Sequence, residues 1–482
     1  MPVFDVAASQ GASAPYWFVE LFKTIGFALH LIPMGIWLVG IPCSLLLWLF
    51  GGVTSKRLAQ RFFRQLPLIV TLGVSFGVLP LLFTQLAYPK AFYTTTIVLG
   101  AHWFFTTFLA ALAYYVSYLA ACAARAEKFW RTALYAFLAS CCYSLLGLIF
   151  SSVWTLFERP WLWESVWADS AYSIGKFVLG PAATASGLGY YWTEVSVFLR
   201  FAGIVGIGFF ALSTWFIVDA YYLYRGPRKL TSEEQARLRA AEAAEEEAEE
   251  EGKKSRPPRK PIQENAEAYV SWTTSVAFIL LLPGLLISAP AVGKYALDSA
   301  GAFVDDENWN PILWNVLLCC AGASMFFPFV FILLNKLKKL SGRALAVMSI
   351  VCEVALVGVY ASMRQILQNA RLGFYYDIKG SCEAGDVDWI ALIVFFVTFV
   401  LSFSLVFFIV GRLSSGDKKR PAKKPRKAPK EEKNADSGKE KGSESSLGAS
   451  GQARGNVIRS SSGSNPGQIR SLNNPNRPGN RR

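Results

Sequence analysis

Residues 18–50 read FVELFKTIGFALHLIPMGIWLVGIPCSLLLWLF, and residues 55–65 beyond them read SKRLAQRFFRQ. The first stretch carries no charged residue after Lys23. A helix needs about 20 apolar residues to cross a hydrocarbon core of roughly 30 Å. In such a core the backbone is satisfied only within a helix or a closed barrel. The stretch lacks the period-2 alternation of a barrel strand, so it reads as a helix. The second stretch is basic, and an excess of lysine and arginine marks the cytoplasmic side. The pair therefore predicts a span that enters from outside and leaves into the cytoplasm.

The same reading extends along the chain. Apolar windows at 18–50, 66–87, 95–122, 133–156, 195–222, 270–291, 311–334, 344–363 and 389–410 predict about nine spans. Basic stretches follow the first, third, fifth, seventh and ninth: SKRLAQRFFRQ, RAEKFWR, RGPRK, NKLKKLSGR and the tail. The other loops carry fewer cations, and two are acidic overall. One threading puts all five basic segments on one side, with the N-terminus outside and the C-terminus cytoplasmic. The expected fold is an all-α, polytopic transmembrane bundle, with the lipid bilayer as its first partner.

Composition agrees. The 482 residues are 53% hydrophobic and 17% charged, against roughly 25% charged in a soluble chain. The formal charge is +14, and +11 of it lies beyond Arg412. Basicity is thus a property of the tail. The eight cysteines include no CxxC or CxxCH pair, which argues against a zinc knuckle or covalent haem attachment. The chain shows no P-loop, dinucleotide fingerprint, HExxH or nucleophile elbow, and no evident internal repeat. Its first residues lack the positive region of a cleaved signal peptide.

The segments divide as follows: 1–17 outer, 18–224 holding the first five spans, 225–267 a charged cytoplasmic arm, 268–411 the last four spans, and 412–482 a basic tail. The outer loop 158–194 contains Trp161, Trp163, Trp167, Tyr172, Tyr190, Tyr191 and Trp192. It reads as an interfacial aromatic belt or as a lid over a buried site. In the arm, Thr231 and Ser232 precede Glu234 and Gln235 at capping-box spacing, and AEAAEEEAEEEG follows. This predicts a solvated helix acting as a spacer or docking arm. The tail cannot bury a core and is expected to be disordered. Its lysine–proline block suits anionic headgroups, and nucleic acid is not an expected partner.

Ionisable residues within spans are costly and point to sites. The two histidines, His30 in the first span and His102 in the third, lie on helices of the same direction, each about seven residues inside the outer boundary. At 1.5 Å per residue that is roughly 10 Å deep. Two imidazoles at matched depth can ligate a haem b from both faces of the iron. Alternatively, each is a neutral imidazole bonded across a helix interface. Gly26, Gly35 and Gly100 allow close approach of a flat group or another helix, and Pro33 is expected to kink the first span. Arg200 suits a haem propionate, or pairs with Glu194. Gln85, Glu20 and Lys23, near outer span ends, could meet a quinone head group or anchor at the interface. Glu353, in SIVCEVALVGVY, is either part of a proton path or a protonated acid bonded to a neighbouring helix.

Nine spans with the N-terminus outside, together with His30, Pro33 and Gly35, resemble subunit I of the cytochrome bd quinol oxidases. So does LGVSFGVLPLLFTQLAYPKAFYTTT, which is similar to the glycine-rich second span of that subunit. The likeness is closer to membrane proteins found beside multihaem cytochromes c, and covers about the first 120 residues. It implies a haem ligand at His30 and quinone-linked electron transfer in a bacterial inner membrane. The chain departs from the oxidases in three ways. No histidine follows His102, the GRQPW-type signature is absent, and no long quinol-binding loop separates spans six and seven. The resulting expectation is a membrane subunit of a quinone-linked respiratory complex. It would pass electrons between quinone and an outer-side cytochrome c or iron–sulfur partner through haem b on His30 and His102. The alternative is a haem-free transporter or membrane scaffold.

Overall fold

The computed structural model describes residues 14–170, 195–224, 266–302, 311–373, 378–383 and 385–415. Every regular element among them is helical. They are α1 (Tyr16–Phe50), α2 (Val53–Ala87), α3 (Pro89–Val98), α4 (Gly100–Arg125), α5 (Phe129–Phe157), α6 (Trp163–Ser170), α7 (Val195–Val218), α8 (Ala266–Ala302), α9 (Pro311–Lys336), α10 (Gly342–Gly373), α11 (Ile378–Glu383) and α12 (Trp389–Ser415). A π-turn, Asp219–Leu223, closes α7. Eight helices, α1, α2, α4, α5, α7, α8, α9 and α10, are long and apolar enough to cross a membrane. The ninth expected span is α12, which runs for 27 residues. Its sequence carries no charged residue from Trp389 to Val410.

Helix α1 is the hub, packed by α2, α5, α7 and α10, while α8 pairs with α7 and α9 with α10. Small residues set the closest approaches. A Cβ on Gly35 would stand 2.8 Å from Gly208 Cα on α7, so the two backbones touch there. Lipid tails give apolar helices no reason to associate, and close backbone packing supplies the attraction instead. Helix α12 is seated by rings. Phe395 meets Phe22 of α1 at 5.3 Å and Phe83 of α2 at 5.4 Å.

Of the helix boundaries that differ from the sequence reading, those of α2, α4 and α10 each have a physical reason. Helix α2 starts at Val53 and takes in the basic stretch 55–65. Leu58, Ala59, Phe62, Phe63 and Leu66 are buried at helical spacing, so the cations ride on an amphipathic extension. The expected span 95–122 is interrupted at Leu99, whose φ −99° and ψ 31° are not helical. Five β-branched residues, Thr94 to Val98, lead into Gly100 there, and both features weaken a helix. Helix α10 continues ten residues beyond 363, because its polar residues face the bundle.

The aromatic segment after α5 divides between core and surface. Trp163 is buried and donates from Nε1 to the Leu156 carbonyl at 3.0 Å, whereas Trp161 is exposed. Tyr172, Tyr190, Tyr191 and Trp192, the arm at 225–265 and the tail from 416 lie outside the described residues.

Candidate intramembrane site

The first turns of α1 and α7, the junctions after α2 and α5, and the last turns of α10 meet at one end of the bundle, here the Glu158 end. Glu158 is 1% exposed. Its Oε2 accepts from Arg200 Nη2 at 2.6 Å and Arg371 Nη1 at 2.9 Å. Burial alone would raise its pKa. Arg200, Arg371 and Arg364 outweigh that and hold the carboxyl below the usual glutamate range. Arg364, itself buried, lies over the Phe27 ring at 4.2 Å and the Trp154 ring at 5.0 Å.

A second group of bonds adjoins it. Lys23 Nζ donates to Glu20 Oε1 at 2.7 Å and sits 4.6 Å from the Tyr88 ring centroid. Asn369 donates from Nδ2 to Glu20 Oε2 at 2.8 Å, and its Oδ1 accepts from Tyr88 and Gln365. Glu20 and Lys23 are thus locked to α10. Gln85 is half-buried, with no side-chain hydrogen bond among the described residues.

His30 faces α2. Its Nδ1 donates to the Gly73 carbonyl at 2.7 Å, and a Cβ on Gly77 would stand 2.7 Å from the ring. The imidazole therefore lies on α2 backbone. The side chain is half-buried, and its second ring nitrogen has no hydrogen bond among the described residues. His102 is buried in the first turn of α4, just past the break at Leu99. Helices α1 and α4 each pack on α2 and α5, so they stand diagonally across a group of four. The structure thus joins His30 to α2 and gives no contact between the two histidines. Arg200 meets Glu158, and Glu194, its expected partner, lies outside the described residues.

Glu353 is 4% exposed on α10, and neither carboxyl oxygen has a hydrogen-bond partner among the described residues. Tyr360, Arg364 and Gln368 follow on the same helix face, all buried. A small cavity of about 10 Å³ is lined by Val292, Tyr360, Met363 and Arg364.

The opposite end, here the Asp219 end, holds a knot that the sequence reading missed. Arg61 binds Asp219 with two bonds, Nε to Oδ2 at 2.9 Å and Nη2 to Oδ1 at 2.8 Å. Gln65 and Tyr269 also donate to Asp219, and Trp215 donates to Gln65. In the sequence Arg61 falls in an expected loop and Asp219 near an expected span end. The available signal was Asp219 itself, an acid inside an apolar run that ends on the basic side.

Among the described residues no three His, Cys, Asp or Glu side chains are gathered for a metal ion. No protein-family model matches the chain, and no curated protein compared with it is similar to it.

Proposed function

We propose that the chain is the membrane subunit of an electron-transfer complex, holding one haem b on His30. In this reading it passes electrons between membrane quinone and a cytochrome c or iron–sulfur partner, at the end that the loop charges assign to the outside. The setting of His30 carries the proposal. An imidazole whose Nδ1–H is fixed by a backbone carbonyl presents its other nitrogen as a metal ligand, and the fixed bond sets tautomer and ring direction. The carbonyl of Gly73 does this, and Gly77 leaves room for the ring. When bound, haem would supply a one-electron relay. The chain's own residues orient the ring and exclude water through the apolar faces of α1 and α2. His102 is the second candidate ligand, and the α1–α4 diagonal separates it from His30. Arg200 and Gln85 remain the candidates for a propionate and a quinone oxygen.

A reduced-minus-oxidised spectrum with a pyridine haemochrome assay tests this. A b-type signal near one haem per chain is expected, lost in His30→Ala. Full haem in both His30→Ala and His102→Ala overturns the ligand assignment. Absence of haem, from cells supplied with it in excess, overturns the reading and favours a haem-free transporter or scaffold. That second reading is supported by Glu353, because a carboxyl buried within a span is characteristic of ion pathways.

A further inference from the structure

The Glu353 carboxyl and the Gln368 amide are both buried on one face of α10, and none of their four polar atoms has a partner among the described residues. Leaving such a group unbonded is costly, and small buried waters are the usual remedy. The cavity lined by Tyr360, Met363 and Arg364 lies between these two groups along the helix. Its volume of about 10 Å³ approaches what one water needs, on the order of 10–15 Å³. From Glu353 the face passes Tyr360, Arg364 and Gln368, spanning about 22 Å at 1.5 Å per residue. It ends where Asn369 and Arg371 bond Glu20 and Glu158. In the other direction the same face offers Ser349 and then Leu345, Ala346 and Gly342, and Gly342 lies under the Tyr221 ring. Ser349 has a buried hydroxyl with no partner among the described residues, and beyond it Ala346 and Leu345 are apolar and fully buried.

We propose that Glu353 is a proton-exchange site reached from the Glu158 end of the bundle alone. Water passes a proton along Gln368, Arg364 and Tyr360. The Glu353 carboxylate binds it as an O–H and returns it by the same route. The helices packed on α10 bring few competing groups. Helix α1 carries Tyr16, Glu20, Lys23, His30 and Cys43. Helix α7 carries Arg200, and the π-turn that closes it carries Asp219, Tyr221 and Tyr222. Helix α9 carries Cys319, Cys320 and Lys336. On α10 itself Cys352, Tyr360 and Arg364 are nearest along the chain. No ion pair to Glu353 occurs among the described residues, so its charge state depends on proton supply. The proposal is independent of haem.

The test is labelling of the full chain by dicyclohexylcarbodiimide, a hydrophobic reagent for protonated carboxyls. The protein is reconstituted in one orientation in vesicles and read by peptide mass spectrometry. Glu353 should be modified, and raising the pH on the Glu158 side alone should slow the reaction at least fivefold. Raising it on the Asp219 side should change nothing. Tyr360→Phe and Gln368→Leu should blunt the response while Glu353 stays in place. Absence of label at Glu353, a rate indifferent to pH on both sides, or control from the Asp219 side would each overturn the proposal.

Discussion

Glu158 gives two arginines a single oxygen, and a carboxylate so placed is held by charge more than by its hydrogen bonds. Replacing it with glutamine removes the carboxylate that buried Arg200 and half-buried Arg371 share. Removing one partner of a buried pair costs about 3–5 kcal/mol, so Glu158→Gln should unfold at markedly lower denaturant in detergent. Its depressed pKa also sets a direction with pH. The stabilisation is present above the unfolded glutamate value and is lost as pH falls through the lower folded one. Acid titration of unfolding should therefore show a step in the native chain that Glu158→Gln lacks, and an unchanged step would refute the linkage. At this scale the sequence was partly legible. His30, Glu353 and Arg200 stood out as polar groups in apolar runs. Partners were not legible. Arg200 meets Glu158, 42 positions away, because the α5–α6 junction folds over the start of α7, and Glu194, its neighbour in sequence, lies outside the described residues.

Helix ends show how strongly local conformation resists reading from charge alone. The turn after α4 bonds Lys128 N to Ala123 O and Glu127 N to Ala124 O, and the turn after α9 repeats this pattern at Lys339 and Lys338. Such caps need a left-handed residue, usually glycine. Here Glu127 has φ 54° and Lys338 φ 58°. The absence of glycine hid both caps from the sequence reading, although the basic loops that contain them were found correctly. A side chain in that region costs about 1–2 kcal/mol, partly offset by glycine's unfolded-state entropy. Glu127→Gly and Lys338→Gly should each raise stability by about 0.5–1 kcal/mol, and a loss on thermal unfolding would contradict this. The α1–α2 seam predicts the opposite response. A Cβ at Gly77 enters the His30 ring, so Gly77→Ala should destabilise by about 1–3 kcal/mol and lower haem content with it. Unaltered haem and stability would show that the ring is not confined there. The windows located the spans because apolar length is a bulk property. The ends of α2, α4 and α10 escaped because amphipathic polar residues continue a helix without continuing its hydropathy.

For the whole molecule, the strongest sequence inference still open to direct test is sidedness. The loop charges place Lys339 in the cytoplasm and Lys90 outside. In a cysteine-free background, Lys339→Cys and Lys90→Cys should react with a membrane-impermeant maleimide from opposite faces. Labelling of both from one face would invert or dissolve the threading. The bundle as a whole was legible because membrane length and backbone satisfaction leave few architectures. Its internal wiring was not, since distant helices set it. One part of that wiring bears on how the polypeptide could be divided. The Tyr224 and Tyr269 rings stack at 4.1 Å, both beside the Arg61–Asp219 pair. The chain thus departs from α7 at Tyr224 and returns to α8 at Tyr269 beside the same post. A gene split there should yield two polypeptides, 1–224 and 266–482, that find each other in the bilayer and co-purify as one particle.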